Sequence, residues 1–156
     1  MKTVTRAAID NFLAAERIAV IGPSRNQKTY SRMLFRELLY NDYDAIPVNP
    51  GTEEMDGIQC FKKIGDIRPV PERALIILPE GLTEQAVLDC ADAGVRDVWL
   101  HRHVAGGVSD TSAISRAEEK GVNLITGYCM FMFLPKAPLF HKFHGGLLKI
   151  IGRYPK

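Results

Sequence analysis

Short runs of apolar residues, separated by longer mixed stretches, recur five times along the chain. The runs occupy residues 18–21, 45–48, 74–78, 98–100 and 122–125. Apart from Asn123 in the last run, the runs are continuously apolar, without alternating polar positions, which is typical of strands buried on both faces. A sheet of such strands is parallel and has helices on both sides. The pattern predicts an α/β fold, a Rossmann-like doubly wound parallel sheet of about five strands.

The stretches between the runs carry apolar residues at helical spacing. Helices are predicted up to residue 13, with Thr3 or Thr5 as N-cap, over residues 29–41 and 83–93, and from 109 or 110 to 120. Thr83 is predicted to cap the third helix, because threonine hydroxyls accept backbone N–H bonds at helix starts. Met33 is predicted to share the buried face of the second helix with Leu34.

Two regions depart from this alternation. Residues 52–72 show little periodicity, and residues 130–156 form an aromatic and basic extension. The extension is expected to pack across the sheet or against a second subunit, as in a homodimer. The chain is interpreted as a single domain over 1–156, with its core at residues 8–129.

Composition places the protein among soluble globular proteins. No apolar run approaches the ~20 residues of a membrane span, and the polar N-terminus of mixed charge does not resemble a signal peptide. Three cysteines, Cys60, Cys90 and Cys129, are scattered without CxxC spacing. This favours reduced thiols and a cytoplasmic location.

The formal net charge of +2 is unevenly distributed. Residues 120–156 contain six lysine or arginine residues and no acid. A basic tail can face an anionic partner, but the wide spacing of these charges favours a solvated surface. No recognition-helix motif or concentrated basic stripe is present, so DNA is not an expected partner.

The junction after the first strand carries the strongest chemical signal. Gly22 ends the strand, and a loop with two serines, Ser24 and Ser31, leads into the second helix. From Gly22 to Arg36 the chain has four basic residues and no acid. In α/β sheets such junctions bind phosphate through backbone N–H groups and a helix N-terminus. The loop predicts a diphosphate site, although a single glycine is an incomplete dinucleotide motif.

The end of the second strand discriminates between cofactors. NAD sites place an acid there to accept the ribose hydroxyls, whereas this chain has Val48, Asn49 and Pro50. An acid would repel a phosphorylated ribose, and asparagine would not. The sequence therefore favours coenzyme A (CoA), with its 3′-phosphate, over NAD. NADP stays an alternative, although arginine is the expected partner of its 2′-phosphate.

Together these motifs resemble those of small CoA-binding-domain proteins, which are similar to the N-terminal domain of the succinyl-CoA synthetase α subunit. The resemblance rests on I-A-V-I-G-P-S-R at 18–25, on Lys28, Tyr30 and Ser31, on P-V-N-P at 47–50, I-I-L-P-E at 76–80 and A-G-V-R-D-V-W-L at 93–100, and on Cys129. It implies a Rossmann-like fold with CoA or acyl-CoA lying across the strand ends.

Carried over position by position, the resemblance implies three groups of cofactor-binding residues. These are Gly22, Pro23, Ser24, Arg25, Lys28, Tyr30 and Ser31 at the diphosphate, Val48, Asn49 and Pro50 at the adenosine end, and Leu78, Pro79 and Glu80 along the pantetheine arm. No residue is assigned a catalytic or metal-binding role.

The histidines mark a departure from the family. His101 and His103 stand where the family usually has Gln-Pro-Gly, and His141 and His144 lie in the extension. A zinc site would use such residues with Cys129, but no tight spacing supports one, and polar groups at the cleft mouth are expected instead. Cys129 is interpreted as a buried small hydrophobe, with a reactive thiol near the CoA arm as the alternative.

Three functions remain in competition at this point. The leading one is a CoA- or acyl-CoA-binding protein without catalysis of its own. The second is an enzyme, either an NAD(P)-linked oxidoreductase or the CoA-binding subunit of a split acyl-CoA-handling enzyme. The third is an interaction protein whose basic aromatic tail binds a partner.

Overall fold

The computed structural model describes residues 4–79, 81–101, 111–136 and 155. Strands and helices alternate as the sequence predicts. The elements in chain order are α1 (Arg6–Leu13), β1 (Arg17–Ile21), α2 (Tyr30–Tyr40), β2 (Asp44–Val48), β3 (Glu54–Met55), β4 (Ile58–Gln59), β5 (Arg73–Ile76), α3 (Thr83–Asp92), β6 (Asp97–Leu100), α4 (Thr111–Glu119) and β7 (Asn123–Ile125).

Five strands form one parallel sheet in the order β2-β1-β5-β6-β7. This confirms the predicted α/β fold class. After β2 the chain crosses to the other side of β1 before it forms β5. The order of the strands therefore reverses between β1 and β5, and in such sheets ligands bind beside the strand ends at that point.

The sheet is covered on both faces, as the continuous apolar runs predict. Successive residues of β1 point to opposite faces: Ile18 and Val20 join one buried cluster, whereas Ala19 and Ile21 join the other. The first cluster includes residues of α1 and α2, and the second includes residues of α3 and α4. Two separate layers of helices thus exclude water from the strands.

Trp99 lies at the centre of the first cluster and is fully buried. The ring of Phe12 meets it edge-on at 5.4 Å between centroids, and its indole N–H donates to the carbonyl of Tyr128 at 3.1 Å. A buried 3₁₀ turn, Met130–Met132, follows on the same face. This part of the extension therefore packs across the sheet. The predicted homodimer contact is left to residues 137–156 of the extension. Apart from Pro155, these lie outside the described residues.

The predicted cap of α1 is confirmed, and α2 has a threonine cap that the sequence analysis did not assign. The Thr5 hydroxyl accepts from the Ala8 amide at 3.2 Å, and Thr29 caps α2. The assignment of Thr83 as a cap is wrong: it is the first residue of α3, after Leu82. The starts proposed for α4, residues 109 and 110, lie outside the described residues.

One further expectation needs correction. Met33 is 47% exposed, because the buried face of α2 is formed by Leu34, Phe35 and Leu38. The region 52–72, where the sequence shows little periodicity, contains the hairpin of β3 and β4 and a 3₁₀ turn, Ile64–Asp66. Strands of two residues are too short to produce a readable alternation.

Lys136, the last residue of the described segment 111–136, caps the C-terminal end of α2. Its amide donates to Oδ1 of Asn41 at 2.8 Å, and its ammonium donates to the carbonyl of Tyr40 and to the carboxylate of Asp42. A cation at a helix C-terminus is stabilising because carbonyls there lack partners within the helix. Among the described helices, none is long and apolar enough to cross a membrane.

Candidate functional site

Gly22 forms a tight turn directly after β1, with φ at +92°. A Cβ atom here would lie 2.5 Å from Cδ2 of Leu78 and 2.7 Å from the carbonyl oxygen of Ile77. The Gly22 amide also donates to the carbonyl of Val48 at the end of β2, at 3.1 Å. Both the positive φ and the lack of space require glycine. The ends of three adjacent strands therefore meet at this residue, beside the point where the strand order reverses.

The loop between β1 and α2 is held in shape by its own side chains. The Ser31 hydroxyl accepts from the Ser24 amide, and the Ser24 hydroxyl accepts from the Asn26 amide, each at 3.1 Å. Oδ1 of Asn26 accepts from the Lys28 amide at 3.0 Å. A hydroxyl that accepts such a bond still has its own proton to donate. The predicted phosphate loop is therefore preformed at the N-terminus of a helix.

The side-chain amide of Asn49 joins this loop to the turn after β2. Its Nδ2 donates to the carbonyl of Pro23 at 2.9 Å, and its Oδ1 accepts from the Gly51 amide at 2.8 Å. An aspartate could not make the first bond, because a carboxylate has no N–H group. The absence of an acid at the end of β2, which the sequence analysis used against NAD, therefore also has a structural reason.

A cavity of about 420 Å³ opens at these strand ends. Five of the predicted cofactor residues line it together: Gly22, Val48, Asn49, Pro50 and Leu78. Pro23, Ser24, Arg25, Lys28, Tyr30, Ser31 and Pro79 are not among its lining residues, and Glu80 lies outside the described residues. Sequence analysis missed the other lining residues, which are Ile21, Lys62, Lys63, Ile64, Leu82, Gln85, Ala86 and Asp89.

A larger cavity, of about 630 Å³, lies on the far side of the molecule between α1, α4 and β7. Its ionisable lining residues are Asp97 and Glu118, and no lysine or arginine contributes to it among the described residues. Such a lining repels a polyanion. The smaller cavity is therefore the better candidate for a phosphorylated ligand.

Asp56 neutralises two arginines of α2. Its carboxylate accepts from Nε of Arg32 at 2.9 Å and from Nη2 of Arg36 at 2.7 Å. The hydrogen bonds from Arg36 and Arg32 hold the pKa of the Asp56 carboxyl well below its usual range. Arg32, which is 5% exposed, also donates to the carbonyl of Ser24 at 3.0 Å. Arg32 therefore links the loop to Asp56.

Of the four basic residues between Gly22 and Arg36, only the two in the loop are not paired with Asp56. Arg25 donates to the carbonyl of Gly51 at 3.4 Å. Neither Arg25 nor Lys28 forms an ion pair with a carboxylate of the described residues. These two cations, and not all four basic residues of the segment, are the ones available to an anion at the loop.

Three side chains far apart in sequence meet near the ends of β6 and β7. The hydroxyl of Tyr30 lies 2.8 Å from Nε2 of His101 and 3.5 Å from Sγ of Cys129. Burial, followed by the contact with Cys129, raises the pKa of Tyr30, so its phenol stays protonated. His101 is 4% exposed, which corrects the expectation of a polar group at the cleft mouth. No local motif could reveal this cluster, because its members are 71 and 99 residues apart.

The remaining candidate ligands give no further site. Cys129 is buried, as expected of a small hydrophobe, and burial raises the pKa of Cys90 to about 12. Within the described ranges, no three histidine, cysteine or acidic residues are grouped as metal ligands would be. His103, His141 and His144 lie outside those ranges.

Comparisons with known proteins identify a family. The profile of the CoA binding domain family matches residues 16–135. The chain is 29% identical over 113 residues to the α subunit of ADP-forming acetate–CoA ligase II from Pyrococcus furiosus. That alignment covers 72% of this chain and 24% of the ligase subunit, so the chain spans about a quarter of its relative.

Solved structures show the same fold. A hypothetical protein from Pyrococcus horikoshii OT3 has a TM-score of 0.71 at 24% identity, covering 83% of this chain and 93% of the other. The dinucleotide-forming acetyl-coenzyme A synthetase 1 of Ca. Korarchaeum cryptofilum has a TM-score of 0.62 at 24% identity, covering 70% of this chain and 25% of the synthetase. At these identities the likeness concerns the fold alone.

The substitution Asp56→Asn tests the link between the hairpin and the loop. Asparagine tolerates the positive φ of this position, but it offers Arg32 and Arg36 no charge. We expect unfolding free energy at pH 7 to fall by about 1–2 kcal/mol. Because the native pKa of Asp56 is depressed, its contribution is present above about pH 4, the unfolded value, and is lost as the pH falls below it.

Urea unfolding at pH 7 and at about pH 3 measures both effects, and the gap between the two proteins should shrink at the lower pH. Glu72→Gln is the matched control, since this carboxylate is 76% exposed and lies 3.8 Å from Arg73. An Asp56→Asn variant as stable as the control variant at pH 7 would contradict the role given to Asp56.

Proposed function

The chain belongs to the CoA binding domain family, and on this premise we propose that its strand-end cleft binds coenzyme A or an acyl-CoA. The observation that carries the proposal is the preformed basic loop of residues 22–31, bordering a cavity where the strand order reverses. The protein is proposed to bind its ligand without catalysing a reaction on its own. The proposed location is the cytoplasm, in keeping with three free cysteines.

The diphosphate is assigned to the loop. Backbone N–H groups at the start of α2 and the serine hydroxyls favour phosphate oxygens, and Arg25 and Lys28 supply the charge. Since Asn49 and Arg32 already hold the Pro23 and Ser24 carbonyls, the loop has little to reorganise when an anion binds. Preorganisation of this kind lowers the entropic cost of binding.

The adenosine and pantetheine portions are assigned to the neighbouring strand ends. Val48, Asn49 and Pro50 line the cavity on the β2 side, which suits the adenosine. Leu78 lines it from beyond β5, and Pro79 and Glu80, the next two residues of the chain, are assigned with it to the pantetheine arm. The cavity is smaller than CoA as a whole, so the arm is expected to run across the strand ends beyond it.

The cleft supports CoA over NAD. NAD needs a carboxylate near its ribose hydroxyls, and the position at the end of β2 is filled by Asn49, whose amide is bonded to Pro23 and Gly51.

A second candidate is the CoA-binding part of a split acyl-CoA ligase. Its support is the similarity to the α subunit of an ADP-forming acetate–CoA ligase, of which this chain spans about a quarter. Groups that activate the acid would then come from another polypeptide.

The first prediction concerns the choice of cofactor. CoA at about 100 times its Kd should raise the apparent stability by about 2.7 kcal/mol, whereas NAD at the same concentration should have no effect. A thermal-shift titration measures the difference. A rise in Tm with NAD and none with CoA would overturn the assignment.

The second prediction concerns Lys28, which is exposed. Lys28→Glu places a negative charge beside the diphosphate and should weaken CoA binding roughly tenfold or more. Unfolding free energy should change by no more than about 0.5 kcal/mol, because exposed loop residues contribute little stability. Titration calorimetry measures the affinity, with Lys120→Glu at the end of α4 as the control. Unchanged affinity in Lys28→Glu would remove Lys28 from the site.

The third prediction separates the two candidate functions. The purified chain, supplied with acetate, ATP and CoA, should form no acetyl-CoA, because catalysis requires positioned groups that binding alone does not supply. Chromatographic detection of the thioester is the measurement. Product formed by the chain alone, and lost in His101→Ala, would refute a purely binding role. Product that appears only with a co-purifying second polypeptide would support the split ligase.

A further inference from the structure

Residues 60–64 extend the strand-end edge of the sheet beyond β2. The Phe61 amide donates to the carbonyl of Pro47 at 3.0 Å, and the Asn49 amide donates to the carbonyl of Phe61 at 2.9 Å. The bridge between Val48 and Phe61 is parallel. This segment therefore runs in the same direction as β2, and the residues after Phe61 emerge at the edge where β1, β2 and β5 end.

The segment is firmly anchored on both sides of its polar residues. Cys60 and Ile64 are 7% and 3% exposed and pack in the two buried clusters. Between them Lys62 and Lys63 are exposed, and both line the cavity at the strand ends together with Asn49. Their backbone is therefore fixed, whereas their ammonium groups remain accessible to a ligand.

The two lysines differ from most cations described above in having no carboxylate partner. Arg32 and Arg36 are paired with Asp56, but no ion pair between described residues involves Lys62 or Lys63. The carboxylate that shares the cavity is that of Asp89, which accepts from Nε2 of Gln85 at 2.8 Å. The β2 side of the cavity therefore has two uncompensated positive charges, separate from those of the loop.

We infer that Lys62 and Lys63 bind the 3′-phosphate of CoA and make the cleft selective for CoA over 3′-dephospho-CoA. The inference rests on the proposed function. In folds of this class the ribose lies beside the end of β2, and residues 61–63 are the outer neighbours of that strand. A phosphate on the ribose would therefore face the lysines, whereas the diphosphate faces Arg25 and Lys28.

The test compares CoA with 3′-dephospho-CoA by titration calorimetry. The unmodified protein should bind CoA about tenfold more tightly, the combined effect expected of two exposed lysines on one phosphate. The double variant Lys62→Gln with Lys63→Gln should bind CoA and dephospho-CoA equally, and its affinity for dephospho-CoA should be unchanged. The preference of the unmodified protein should also decline at high salt, since exposed charges are screened.

Lys120→Gln is the matched control, because it removes an exposed charge at the opposite edge of the sheet, just before β7. It should leave the preference intact, whereas each single variant, Lys62→Gln or Lys63→Gln, should reduce it. Equal binding of both ligands by the unmodified protein, or an unchanged preference in the double variant, would overturn the inference and leave CoA binding standing. If neither ligand binds the unmodified protein, the proposed function fails and the inference fails with it.

Discussion

The close approach of β1 and β5 at their carboxyl ends is the constraint on which the site depends. Gly22 lies so near Leu78 and the carbonyl of Ile77 that a single methyl group would not fit. The chain must therefore turn away from the sheet at this residue, and the loop leading to α2 starts there. Because the strand order reverses between the same two strands, the turn also borders the crevice that a ligand can enter.

Two polar connections then fix the position of that loop. Asn49 ties it to the turn after β2, and Arg32 ties it to Asp56 in the hairpin of β3 and β4. Both connections engage backbone carbonyls of the loop, which directs these oxygens away from an incoming anion. The positive charge of this segment is divided as well, since Arg32 and Arg36 neutralise Asp56 whereas Arg25 and Lys28 remain on the loop.

The sequence predicted what is encoded locally. Continuous apolar runs located all five strands of the main sheet, and Thr29 marked the start of α2. It did not predict contacts between distant segments. Tyr30, His101 and Cys129 meet because three strand ends converge, and nothing near any one of them indicates the other two. Lys62 was overlooked for a similar reason: its position follows from backbone bonds to β2, in a region without periodicity. Arg32 was misjudged because its partner, Asp56, lies in a hairpin too short to recognise.

The two ends of helix α2 are held by segments that are synthesised at very different times. Its first turns are fixed by Asp56, only 24 residues after Arg32. Its last turn is completed by Lys136, 94 to 96 residues after the groups it contacts. On a ribosome the C-terminal end of α2 is thus completed only after all five strands of the main sheet have been made. Contacts of such long range form slowly, so the C-terminal end of α2 acquires its final support late in folding.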